Sequence, residues 1–122
     1  MITSVHTLIY ADDPGAARAF FRDVLDLAVI DDGDGWLIFK LPPAELGVHP
    51  TDTGGVPAGT TKLSLMCDDV EQTVTELRAK GAQVSGEIND YGYGLVTSIT
   101  VPGGVTLDLY QPRHATAFDL EG

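Results

Sequence analysis

The chain has 122 residues, 43% of them apolar and 20% charged. That is enough to bury about two-thirds of the surface the unfolded chain exposes, and it excludes wholesale disorder. Seven Lys and Arg oppose eighteen Asp and Glu, a net charge of −11, which makes nucleic acid and anionic membrane poor partners because phosphate binding needs clustered cations. No apolar run approaches the ~18 residues of a membrane span, and the start Met1-Ile2-Thr3-Ser4 lacks a basic, apolar leader. Cys67 is alone, so an internal disulfide and a multi-cysteine zinc site are excluded. The expectation is a cytoplasmic protein.

In chain order, residues 4–10 read as a strand leading to Asp12-Asp13. Asp13 is a natural N-cap, and Pro14 suits the first helical position, where its missing N–H costs nothing. Ala17, Phe20, Phe21, Val24 and Leu25 then repeat at helical spacing on one face, with Arg18, Arg22 and Asp23 opposite. After the turn Asp32-Gly33-Asp34-Gly35, residues 36–39 read as a strand. Residues 45–49 alternate weakly behind Pro42-Pro43. Residues 51–59, with three glycines and a proline, form a linker. A second strand-like run ends at Asp68-Asp69, where Asp69 opens a helix with Gln72 as capping-box partner. That helix turns Val70, Val74 and Leu77 inward and stops at Lys80-Gly81. Strands are predicted at 83–84, 95–101 and 105–110, the last two joined by Pro102-Gly103-Gly104. Residues 113–122 read as a mobile polar tail.

Laid on itself, the chain shows a repeat: residues 4–13 align with 60–69, an offset of 56, and each half ends similarly, at Pro50 and at Pro112. The order βαβββ therefore occurs twice. The predicted class is α+β: two βαβββ modules, 1–52 and 60–112, in one domain spanning 1–112, followed by the tail 113–122. Each helix is expected to pack on its own sheet.

With Val5-His6-Thr7-Leu8-Ile9-Tyr10-Ala11-Asp12-Asp13, Ala19-Phe20-Phe21-Arg22-Asp23-Val24-Leu25, Val101-Pro102-Gly103-Gly104 and Leu107-Asp108-Leu109-Tyr110-Gln111-Pro112, the chain resembles the vicinal oxygen chelate superfamily over residues 2–112. That superfamily includes glyoxalase I, fosfomycin-resistance, bleomycin-resistance and extradiol-dioxygenase proteins. The resemblance implies that each module curls into a half-barrel, that the pair encloses a cleft, and that short members form homodimers. Chemistry does not follow from the scaffold, because one scaffold hosts many functions.

In metal-dependent members, as the resemblance has it, ligands sit on the first and last strands of each module. His6 holds the first such place here, and its counterpart Lys62 cannot ligate while protonated. Asp108 stands where a Glu is usual and is shorter by one methylene, and its counterpart is Leu46. The neighbouring Glu45 would serve only if a bulge turned it inward. The metal candidates are therefore His6 and Asp108, with Glu45 ambiguous, whereas a catalytic metal takes three protein ligands and an open position. Each has a plainer reading: His6 as a hydrogen-bonded core-edge histidine, Lys62 and Asp108 as an ion pair, His49 as a strand-end cap, Cys67 as an inert core thiol. Trp36, Phe39, Tyr91 and Tyr93 sit on segments that line the barrel opening in this fold, and with Lys62 they are the candidate ligand contacts. Aromatic faces offer broad apolar contact and attract cations. The segment Asp90-Tyr91-Gly92-Tyr93-Gly94 reads equally as a hairpin turn with packed tyrosines.

Three functional classes follow: a metal-free protein that binds or sequesters a small, cationic or aromatic molecule; a lyase, isomerase, thiol transferase or dioxygenase using Fe, Mn, Ni or Zn; and a structural or regulatory partner without a small ligand. The first is favoured by Lys62, Leu46, the acidic charge and the tyrosine turn. No cofactor is expected under it.

Overall fold

The computed structural model describes residues 6–51 and 55–120. Helix α1 (Pro14–Asp23) begins as its sequence predicts, the Asp13 carboxylate accepting from the Ala16 N–H at 3.0 Å. Helix α2 (Val70–Ala79) begins the same way, Asp69 accepting from the Gln72 N–H at 3.1 Å. The return half of the expected capping box is not made. The Gln72 amide instead donates forward to Glu76, one turn on, at 3.1 Å. The Val70 N–H is satisfied from outside the helix, by Gln111 Oε1 at 3.0 Å. At its other end α2 closes on Gly81, at φ +88°, with the Ala82 N–H donating back to the Leu77 carbonyl at 3.0 Å.

Strands β1 (Val29–Asp31) and β2 (Leu37–Phe39) form a hairpin, Val29 opposite Phe39. Strands β3 (Ser64–Met66), β4 (Gln83–Val84), β5 (Asn89–Asp90), β6 (Gly94–Val101) and β7 (Val105–Pro112) form a five-stranded sheet of order β3-β7-β6-β4, with β5 also on β6. The β3–β7 pair is parallel and the others antiparallel. The second module thus carries the βαβββ order in full, with the two-residue β5 as an extra strand beside β6. The first is less regular: the strands predicted at 4–10 and 45–49 do not form in the described residues 6–10 and 45–49. Leu8, Tyr10, Leu46 and Val48 are exposed, although residues 7–9 share a cleft with 61–63 and 105–107, and prolines at 42, 43 and 50 bracket the second segment. A segment that makes no ladder leaves its backbone groups to water.

Both helices share one core, not the two separate sheets predicted for them. Ala17 and Phe20 of α1 join Val70, Val74 and Leu77 of α2 over Ile99, Val101, Val105, Leu107 and Leu109 of the β6–β7 ladder. Phe21 is half-buried, its ring 5.8 Å from Phe20 and 5.8 Å from Phe39 of β2. Two polar ties fix α1 against the second module. The Asp12 N–H donates to the Gly103 carbonyl at 2.7 Å, and a Cβ at Gly103, whose φ is +102°, would lie 2.6 Å from the Asp13 carbonyl oxygen. The β6–β7 turn therefore needs glycine both for its conformation and for the close approach. At the far end of α1, the Lys80 ammonium meets Asp26 at 2.6 Å and the Val24 carbonyl at 3.2 Å, a cation at a helix C-terminus.

Replacing Phe20 by Ala should cost about 3–5 kcal/mol in urea denaturation, because it removes a buried ring from the shared core. Phe21→Ala should cost less, and an equal loss at both positions would contradict the common core.

Candidate functional site

The period-two alternation of β6 and β7 decides where the site lies. Ile99 and Val101 pair with Leu107 and Val105 and, with Leu109, turn toward the helices. Val96, Ser98 and Thr100 pair with Tyr110, Asp108 and Thr106 and turn to the opposite face. On β3 the register sets Ser64 beside Asp108, so Lys62, two residues earlier, shares that face. A concavity of about 340 Å³ lies there, lined by Lys62, Ser85, Glu87, Asn89, Tyr91, Tyr93, Val96, Ser98 and Asp108 among others.

At its floor the Lys62 ammonium contacts Asp108 Oδ2 at 2.6 Å. The Asp108 side chain is only 25% exposed, whereas that of Lys62 is 72% exposed, so the pair binds a half-sheltered carboxylate to a solvated cation. The wall is the stretch 85–91, held on β6 by the buried Thr97 hydroxyl, which donates to the Glu87 carbonyl at 2.7 Å. The rim is the β5–β6 turn. Gly92, at φ +81°, donates its N–H to Asp90 Oδ1 at 2.9 Å, and the Tyr91 N–H reaches the Gly94 carbonyl at 3.1 Å. The rings of Tyr91 and Tyr93 lie 5.8 Å apart at 49° and stay 59% and 49% exposed. The segment is a hairpin turn, and both tyrosines line the concavity. Arg113 secures the turn with a 2.6 Å contact to Asp90 and an N–H bond to the Tyr93 carbonyl at 2.8 Å.

The aromatic row continues outward. Tyr110 stacks 5.8 Å from Tyr93, and its hydroxyl hydrogen-bonds His114 Nε2. The Tyr110 ring lies over Gly94, where a Cβ would collide with it and come within 2.7 Å of the Gln111 carbonyl oxygen. Burial, with the nearby Glu45 and Tyr93, pushes the Tyr110 phenol up, so it stays protonated at neutral pH. Glu45 accepts from the Ala117 N–H at 2.7 Å and lies 4.0 Å from His114. The segment read as a mobile tail is thus tied to the first module.

Of the residues singled out in the sequence, Lys62, Tyr91, Tyr93 and Asp108 line this one concavity. Trp36 and Phe39 do not. Trp36 is exposed on the β1–β2 hairpin with the Arg18 guanidinium 5.0 Å above its ring, and Phe39 packs on Phe21. His6 is exposed and outside the lining, and Glu45 faces His114. Among the described residues no three His, Cys, Asp or Glu side chains gather as a metal-ligand set. Asp108, one of the candidate ligands, is held by the Lys62 ammonium. Cys67, half-buried, has its thiol pushed up mainly by burial and further by Asp68 and Asp69, against a lowering contact with Thr73. It is therefore a poor thiolate nucleophile. The sequence does not single out Ser98; Ser85, Glu87 and Asn89 carry a signal in their spacing, since residues 85, 87, 89, 91 and 93 alternate at strand period.

A profile of the Glyoxalase/Bleomycin resistance protein/Dioxygenase superfamily matches residues 3–109, and the chain belongs to that family. Its fold is similar to that of lactoylglutathione lyase from Agrobacterium tumefaciens, at 22% identity over 85% of this chain and 89% of that one, with a TM-score of 0.60. It is likewise similar to TnmS3, an antibiotic binding protein from Streptomyces sp. CB03234, at 22% identity over 92% and 99%, TM-score 0.59. A glyoxalase/bleomycin resistance protein/dioxygenase from Nocardioides matches at 20% identity over 89% and 85%, TM-score 0.54. At these identities the likeness is one of fold. No curated protein sequence matches the chain.

Two outcomes test this geometry. Gly94→Ala should displace the Tyr110 ring and cost on the order of 1–3 kcal/mol by overpacking, seen as a lower urea midpoint and lost Tyr110–His114 cross-peaks in NMR. Asp90 is held below the usual carboxylate range by the Arg113 side chain first and the Gly92 N–H second. A carboxylate with a lowered folded pKa contributes stability above its unfolded pKa and loses it as pH falls through the folded value. Arg113→Ala should therefore raise the Asp90 midpoint in an NMR titration and flatten the acid-side loss of stability.

Proposed function

We propose that the protein binds and sequesters a small molecule in the concavity bounded by Lys62, Asp108, Tyr91 and Tyr93, and that it does so without a metal. The observation that carries this reading is the 2.6 Å Lys62–Asp108 contact. It places an ammonium on the carboxylate that would ligate a metal in metal-dependent relatives, and any divalent ion there would have to displace it against like charge. The volume falls in the lower range of small-ligand sites, and half-exposed tyrosine rings at the rim supply contact area at low entropic cost. The fold similarity to an antibiotic binding protein agrees with this reading.

The working form we propose is a homodimer. Leu8, Tyr10, Leu46 and Val48 are exposed on the two segments that lack sheet partners, and among the described residues β3 pairs with β7 alone. An unpaired edge beside exposed apolar side chains favours association. A lone cysteine suits a reducing compartment, and the cytoplasm is the location we propose.

Three measurements test these statements. NMR screening against a small-molecule library should give hits whose shifts cluster at residues 91–98, and Ser98→Trp, which fills the concavity, should abolish them while the fold is retained. Hits that map elsewhere, or that survive Ser98→Trp, would remove the site. Elemental analysis should find no stoichiometric metal. Tightly bound metal lost on His6→Ala would promote the metal-dependent enzyme. Light scattering should return twice the 12.9 kDa of one chain, and a monomer at micromolar concentration would remove the dimer.

A further inference from the structure

The chemistry of the lining selects among small molecules more narrowly than the tyrosines alone suggest. We infer that the concavity is built for a polyhydroxylated amine, an amino-sugar type of ligand, rather than for a flat aromatic one or an anion. The inference rests on the reading that this concavity binds a small molecule.

The floor and wall are polar: Glu87, Asn89, Ser98 and the Lys62–Asp108 pair line them, with Val96 as the apolar exception. Among the described residues no hydrogen bond from another residue engages the side chains of Glu87, Asn89 or Ser98. A flat apolar ligand pressed onto this floor would strip water from those groups and return no partners, which is costly. A ligand carrying several hydroxyls pairs with them, since carboxylates accept, the amide donates and accepts, and the serine hydroxyl does both.

Charge gives the second constraint. Two carboxylates, Glu87 and Asp108, face one ammonium, and that ammonium already lies 2.6 Å from Asp108. The lining therefore has one uncompensated negative charge, inside a chain whose net charge is −11. An anion meets no free cation there, whereas an amine meets Glu87 and is steered by the field of the whole chain. The rim supplies the third. The rings of Tyr91 and Tyr93 are inclined at 49° to each other, so they do not form the parallel slot that would clamp a planar ring system. They present separate faces on which the C–H side of a saturated ring can rest, and those faces also attract a cation.

The test is titration of the full chain, by calorimetry and by NMR shifts at Gly92, Gly94 and Ser98, with four probes. These are neamine (amino sugar), trehalose (neutral sugar), spermidine (amine without rings or hydroxyls) and proflavine (planar aromatic cation). Neamine should bind at 91–98, at least tenfold more tightly than trehalose or spermidine, and Glu87→Gln should weaken it about tenfold. Tyr93→Ala should weaken it too, while leaving the urea midpoint near wild type. Equal binding of spermidine would reduce the effect to bulk charge and overturn the inference. Proflavine binding at the tyrosines without neamine would overturn it as well, yet leave the small-molecule reading standing. Silence from all four probes overturns it, and silence from the wider library in addition removes the binding site itself.

Discussion

The antiparallel ladder between β6 and β7 is the constraint on which the rest of the molecule depends. Its register runs unbroken from Gly94 opposite Pro112 to Val101 opposite Val105. Because successive side chains point to opposite faces, one ladder makes the core and the site at once. Ile99, Leu107 and Leu109 receive both helices on one side, while Ser98 and Asp108 floor the concavity on the other. A slip of one residue would exchange the two sets and bury Asp108 among apolar side chains. The ionic and aromatic features of the site are thus held in place by the burial of their immediate sequence neighbours.

The first module depends on this ladder. Among the described residues its helix covers, of its own module, only the two-stranded β1–β2 hairpin, through Phe21 on Phe39, and such a hairpin is marginal alone. Helix α1 borrows the core of the second module instead, through Ala17 and Phe20, and is seated by backbone contact at Gly103 and by Lys80 at its far end. The apolar residues at 8, 10, 46 and 48 stay exposed.

The site balances two tendencies. A lysine beside an aspartate reduces the pull on any cation at the floor, yet Glu87 restores a net negative lining. Gly94 lets the Tyr110 ring lie against the strand, with Tyr93 packed beside it. The tail then joins the outer end of this aromatic row to Glu45 of the first module.

Much of this was legible in the sequence. Asp13-Pro14 and Asp69 mark both helix starts, Gly81 the end of the second, and Pro102-Gly103-Gly104 the turn that makes β6 and β7 a hairpin. These are local signals, set by backbone conformation within a few residues. The conjunction of Lys62 with Asp108 was also accessible, because the repeat places both on strands of the second module. Tertiary structure alone decided the rest. Glu45 meets His114, not a metal-ligand set, because the tail returns across the first module. Trp36 lies under Arg18 and Phe39 against Phe21 because α1, not the concavity, is the nearest surface to that hairpin. Among the described residues, 6–10 and 45–49 join no ladder, because β propensity within a segment carries no information on whether a partner in register meets it.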